Sequence, residues 1–271
     1  MLIALASLKS SPGVTTAALA LAAMWQGSEK VVVVEADPAG GDLAARFGLH
    51  PSPGLVSLTA AARRDHGVRV AFDHAQELPG GLSVIAAPAA SEQSAAAVEL
   101  LTGDGMPLWA NLAADEEVVV VLDCGRLDSA SSSRGLLAAA DIALLVARPR
   151  LDECDRLAKA LDALAIRAEA TGTELGLVLA GPGFERGQVA ASMRMRVWAH
   201  LPHDPKAAAA LAGEPGKTRR LASLALPKAA RTLAGEIATH LAQAGLESLP
   251  QQEAADEAEH PVRQASSRSA A

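Results

Sequence analysis

Lys9, Thr15 and Thr16 flank a short loop, Leu8-Lys9-Ser10-Ser11-Pro12-Gly13-Val14-Thr15-Thr16, which joins an apolar run from Leu2 to the apolar stretch Ala17–Trp25. A strand, a tight loop and a helix in this order aim backbone N–H groups and the positive helix end at one point, where a phosphate would sit. Hydroxyls at the head of such a helix can hold a magnesium ion. Two carboxylates follow β-branched runs further on: Asp37 after Lys30–Val34, and Asp123 after Glu117–Leu122. The carboxyl ends of parallel strands are where open α/β sheets place their ligands, so both acids are candidates for phosphoryl chemistry. Pro38, Gly40 and Gly41 would fix Asp37 in place. The plain alternatives are a Ser-Pro-Gly turn without a ligand, and turn or cap roles for the acids.

The elements that must position these residues follow from the pattern of apolar runs. Short β-branched or Leu-rich segments at 30–34, 82–86, 117–122, 141–147 and 175–180 read as buried parallel strands. Between them, 91–101 and 151–170 carry helical patterns, and 206–211 and 227–243 do so further on. This alternation predicts an α/β fold of three layers: a mostly parallel sheet with helices on both faces. No G-x-G-x-x-G follows the first strand, which disfavours a dinucleotide-binding reading.

The chain has 271 residues, enough for one domain over 1–246 with a large core, and 247–271 turn polar and are expected to form a disordered tail. Half of the residues are hydrophobic but only 2% are aromatic, so Ala, Val and Leu must build the core. Two cysteines, Cys124 and Cys154, fit a reducing cytoplasm better than a disulfide framework. No apolar run is long enough to span a membrane, and the expectation is a cytoplasmic protein without a membrane anchor. Net charge is −7, yet residues 194–231 hold eight basic against two acidic side chains and are the place for an anionic partner such as DNA. Gly213–Thr218 imitates a phosphate loop, but Leu211 stands where its first glycine belongs, so a basic loop is expected there.

Laid on the pattern K-G-G-x-G-K-T-T, the loop resembles the deviant Walker A motif of the ParA/MinD family of partitioning and positioning ATPases. Lys9 matches the signature lysine, Gly13 the last glycine, and Thr15 and Thr16 the hydroxyls. Ser10 and Ser11 replace glycines, and Val14 replaces the phosphate lysine. Glu35-Ala36-Asp37-Pro38-Ala39-Gly40-Gly41 resembles the second motif, D-x-D-P-Q-G-N, with Asp37 on the acid that positions the attacking water. Asp123 matches the Walker B acid, and Pro202–Asp204 the P-x-D turn that borders the base. Ala180 stands where an adenine-contacting Asn is usual.

The resemblance implies a P-loop domain that binds ATP and Mg²⁺. Ser10, Ser11, Gly13, Val14, Thr15, Thr16, Pro202 and Asp204 would contact nucleotide, Thr15, Asp37 and Asp123 would serve the metal, and Lys9 and Asp37 would act in catalysis. Lys9 would reach a partner subunit's phosphates in a homodimer. With Val14 in the lysine's place, three functions stand open. They are a weak or inactive ATPase serving as a dimerising or localising adaptor for a protein partner (as in TadZ-like proteins), an active ATP-dependent partitioning ATPase, and a nonspecific DNA binder.

Overall fold

The computed structural model describes residues 1–9, 12–128, 130–214 and 220–247. Its strands are β1 (Leu2–Ser7), β2 (Lys30–Glu35), β3 (Gln76–Glu77), β4 (Ser83–Ile85), β5 (Val118–Arg126), β6 (Ile142–Ala147), β7 (Glu174–Ala180) and β8 (Val197–Leu201). They form one eight-stranded sheet in the order β3-β4-β2-β5-β1-β6-β7-β8. Every pair is parallel except β3–β4, an antiparallel pair at one edge. The helices are α1 (Val14–Ala23), α2 (Leu43–Phe47), α3 (Leu55–Ala62), α4 (Val68–Asp73), α5 (Ser91–Thr102), α6 (Met106–Ala114), α7 (Arg134–Ala139), α8 (Leu151–Thr171), α9 (Arg186–Met193), α10 (Pro205–Leu211) and α11 (Ala225–Glu247). Met1–Gly235 form one compact unit; the second begins at Glu236, and its described part is the end of α11.

The apolar runs fold as buried strands because each faces helices on both sides. Leu2, Ala4 and Ala6 of β1 enter one core cluster with α3, α5, α6, α7 and α8. Ile3 and Leu5 point to the opposite face and are equally buried. α1 packs against β2 and β5 and is buried from Ala17 to Ala22. Its alanines let it lie close to the sheet, the arrangement that a core poor in aromatics requires. Trp109 and Trp198 are the bulky exceptions and both are fully buried; the Trp109 indole N–H donates to Leu101 O at 2.9 Å.

This topology fixes where the chemistry lies. β1 runs between β5 and β6, and β2 lies on the far side of β5, so the carboxyl ends of β1, β2 and β5 are neighbours. Glu35, at the end of β2, is in register with Asp123 on β5. Of the tail expected over 247–271, Glu247 is instead the last residue of α11 and the rest lies outside the described residues, as does most of the glycine-rich imitation at 213–218.

Candidate functional site

The loop after β1 is built for a turn into α1. Gly13 adopts the left-handed conformation, at φ 102°, and Val14 is the first residue of α1. Val14 is only 6% exposed, so the residue in the phosphate lysine's place is packed into the protein. Lys9 lies on the approach to the loop, and its Nζ donates to Asp152 Oδ2 at 2.6 Å. The Lys9 ammonium holds the Asp152 carboxyl below the usual range. Asp152 stands near the start of α8, and its Oδ1 lies 3.9 Å from Arg150 Nε. Ser10 and Ser11 are outside the described residues.

Asp123 lies beside Thr15, and the charges of Glu35 and Asp37 act on it. Asp123 is fully buried, and burial pushes its carboxyl up to about 7. The Thr15 hydroxyl and the Gly125 N–H act in the opposite direction, while the neighbouring Glu35 and Asp37 add to the rise. Gly125 N donates to Asp123 Oδ1 at 3.1 Å, whereas Asp123 Oδ2 is buried with no hydrogen-bond partner. Asp37 is half-buried. Its Oδ1 accepts the Ala39 N–H at 2.8 Å and its backbone O accepts the Ser94 hydroxyl at 2.6 Å. Burial raises the Asp37 carboxyl as well, against the pull of the Ala39 N–H and Arg126.

Asp37 reaches this place because residue 125 has no side chain. A Cβ on Gly125 would come within 2.0 Å of the Asp37 carboxylate, and the φ of 58° at that position disfavours any L side chain. Gly125→Ala is therefore expected to displace Asp37 from Asp123. The backbone cost should be about 1–2 kcal/mol, read by urea unfolding. Unchanged stability would mean that the Asp37 carboxylate moves aside freely.

Glu35 does something different from its neighbours. Its Oε1 accepts the N–H groups of Asp42 (2.7 Å) and Leu43 (3.1 Å), and its Oε2 accepts that of Ala87 (2.9 Å). The carboxylate thus ties the loop after β2 to the segment after β4. Gly41 allows the close approach, since a Cβ there would lie 2.2 Å from Glu35 Oε2. Burial raises the Glu35 pKa, and these backbone N–H groups oppose the rise.

The loop after β1 borders a cavity of about 410 Å³. Pro12, Gly13 and Thr16 form one wall, and the chain after β7 (Ala180–Pro182) and after β8 (Pro202–Asp204) another. Arg148 and Arg150, just past β6, also line it. Asp204 has a capping task besides: its Oδ1 accepts Ala207 N at 3.0 Å and its Oδ2 accepts Leu226 N at 3.2 Å. Its burial favours the neutral form, but these and other backbone N–H groups outweigh that and lower its pKa.

Gly13, Thr16, Pro202 and Asp204 therefore line one cavity, while Thr15, Asp37 and Asp123 act on one another outside its lining. Val14 is packed away, and Lys9 is held by Asp152. Arg148 and Arg150 escaped sequence reasoning, although Arg148-Pro149-Arg150 at the end of an apolar strand was a signal. Cys124 is buried, which pushes its thiol well up and leaves it a small apolar side chain of the core.

Among the described residues no three His, Cys, Asp or Glu side chains form a metal cluster. A magnesium ion needs less from the protein, since it keeps several waters and takes one or two carboxylates. The orphan Asp123 Oδ2 near the Thr15 hydroxyl fits such an ion. Among the described residues no helix is long and apolar enough to cross a membrane.

No family model and no curated protein matches this sequence. Solved structures do. The cell division ATPase MinD of Pyrococcus furiosus aligns with a TM-score of 0.69 at 19% identity, over 88% of this chain and 98% of that one. A ParA family ATPase from Chlorobium tepidum gives 0.68 at 18%, over 86% and 98%. The septum site-determining protein MinD from Pyrococcus horikoshii, solved with Mg-ADP, gives 0.66 at 17%, over 92% and 99%. The fold of this chain is that of the ParA/MinD-type P-loop proteins.

Proposed function

We propose that this chain, carried on the ParA/MinD-type fold, is a positioning protein that binds ATP with Mg²⁺ but hydrolyses it weakly or not at all, and acts as a dimerising or localising adaptor for a protein partner. The observation that carries the proposal is Val14, buried at the position that matches the phosphate lysine, in a loop whose Gly13 and Thr16 line a cavity with Pro202 and Asp204. Gly13 and Thr16 form the wall on which phosphates would rest, and the chain after β7 and β8 forms the base end. Thr15 and Asp123 would hold the metal, Asp123 through water, and Asp37 would orient the attacking water. Bound Mg²⁺ would neutralise charge on the phosphate oxygens. Losing one charged phosphate contact is worth about 1.5–3 kcal/mol, or roughly 10- to 100-fold in affinity. The loss is greater for turnover, to which the protein contributes mainly positioning and charge.

Lys9 is the cation of this loop, and its contact with Asp152 is within one subunit. To serve a partner's phosphates in a homodimer it must leave that carboxylate. A TadZ-like role would need the dimer and its surface without turnover. The competing reading is an ATP-dependent partitioning ATPase.

The test is phosphate release by wild type, Val14→Lys and Asp37→Ala, with nucleotide affinity measured on each. We expect measurable Mg²⁺-dependent ATP binding by wild type, release at background level, and tighter binding by Val14→Lys. Robust wild-type turnover that rises per subunit with protein concentration and disappears in Asp37→Ala would replace the adaptor by an active ATPase.

A further inference from the structure

Beyond the Lys9–Asp152 pair lies a second cleft, of about 490 Å³, which shares Lys9 with the nucleotide chemistry above but adds three arginines that chemistry does not use. Lys9 reaches it from the loop after β1, Arg126 from the end of β5, Arg134 from the start of α7 and Arg156 from α8. We propose that this cleft is a separate anion site for a compact phosphate-bearing ligand, of the size of a diphosphate.

The charge balance of the lining supports this. Four cations line the cleft and Asp128 is the only acid among the lining residues. The Asp128 side chain is already an acceptor for the Ala130 N–H at 2.9 Å, and its backbone O takes Arg134 Nε at 2.6 Å. Lys9 is shared with Asp152. Arg126 and Arg156 are exposed and form no ion pair within contact distance among the described residues, Arg126 acting on Asp37 only at longer range. Like charges converging on one cleft repel, and an anion between them relieves the repulsion. Guanidinium forks match the oxygens of phosphate in a bidentate manner, which a lysine cannot do.

The size of the ligand follows from the surroundings. Leu8, Leu127 and Ala160 complete the walls, so the cationic surface is bounded by apolar side chains. A chain of net charge −7 offers no broad positive field to a long polyanion, but one local cluster can hold a short one. Recognition here would be by side chains from four elements, unlike the backbone cradle proposed for the nucleotide.

Calorimetric titration of the full chain with inorganic diphosphate, at low salt and without Mg²⁺, tests the assignment. Wild type should bind. Arg126→Ala and Arg156→Ala should each weaken binding about 5- to 10-fold, the double variant should bind too weakly to detect, and Thr16→Ala in the nucleotide cavity should match wild type. Both arginines are exposed, so the variants should fold, and circular dichroism checks this. The proposal is overturned if wild type does not bind, if the arginine variants bind as wild type does, or if Thr16→Ala abolishes the signal. A Glu-rich peptide that binds more tightly than diphosphate would overturn the phosphate assignment. ATP binding with Mg²⁺ is a separate measurement, so the two sites can fail independently.

Discussion

Glu35→Ala is expected to cost about 3–6 kcal/mol of folding stability, which is a large share of what a domain of this kind possesses. Removing the carboxylate leaves the buried N–H groups of Leu43 and Ala87, and the part-buried one of Asp42, without their acceptor. An orphaned buried donor costs about 1–3 kcal/mol. The space left beside Gly41 adds to the loss. Glu35→Gln should be milder, because its amide oxygen can still serve one pair of donors while the NH₂ meets a donor at the other. Urea unfolding should show midpoints in the order wild type, Gln, Ala with slopes that differ little. An Ala variant within about 1 kcal/mol of wild type would mean that water replaces the carboxylate, and Glu35 would lose its structural role.

The second large effect concerns pH. The Asp123 carboxyl is pushed up to about 7 in the native protein, against about 3.9 for an unfolded chain. Between these values the native state holds a proton that the unfolded state has released. Stability must therefore fall as pH rises from about 4 to about 7, by up to about 4 kcal/mol, and level off above. Glu35 and Asp37 are raised in the same direction and add to the slope. Asp123→Asn removes the largest part. The variant should resemble wild type near pH 5 and exceed it in stability at pH 8, measured by urea unfolding without divalent ions. Added Mg²⁺ should recover stability at pH 8 for wild type and not for Asp123→Asn. Stability that rises with pH through this window would refute the buried, proton-bearing state of Asp123.

Much of the architecture was legible because parallel strands buried on both faces leave continuous apolar runs. Val31–Val34, Val118–Leu122 and Ile142–Ala147 could hardly be anything else in a chain of this composition. The edge was harder. β3 has only two residues, Gln76 and Glu77, which carry no apolar signal, and its antiparallel pairing depends on the turn at Leu78–Gly81. α6 was hidden too, since Met106–Ala114 follows a Gly-Asp-Gly sequence that suggests only a loop. Motif order singled out Asp37, Asp123 and Thr15, but roles decided by hydrogen-bond partners were invisible. Glu35 looked like a substituted motif acid and is a clamp for three amides. Asp204 looked like a base-side turn and also caps α10. Lys9 looked free to cross to another subunit and holds Asp152.

The place of β1 in the sheet has a consequence for how this protein comes into being. Its neighbours on either side are β5 and β6, whose residues begin more than a hundred positions later. During synthesis the first strand and the loop that follows it must wait, unpaired and apolar, until residues up to about 147 have left the ribosome. Contacts between such distant segments form slowly, and an exposed apolar strand is what chaperones recognise. The cavity beside the loop after β1 needs still more, because its far wall comes from the segments after β7 and β8. A nascent chain therefore lacks that cavity, and anything that fills it can stabilise the fold only after most of the sheet has closed.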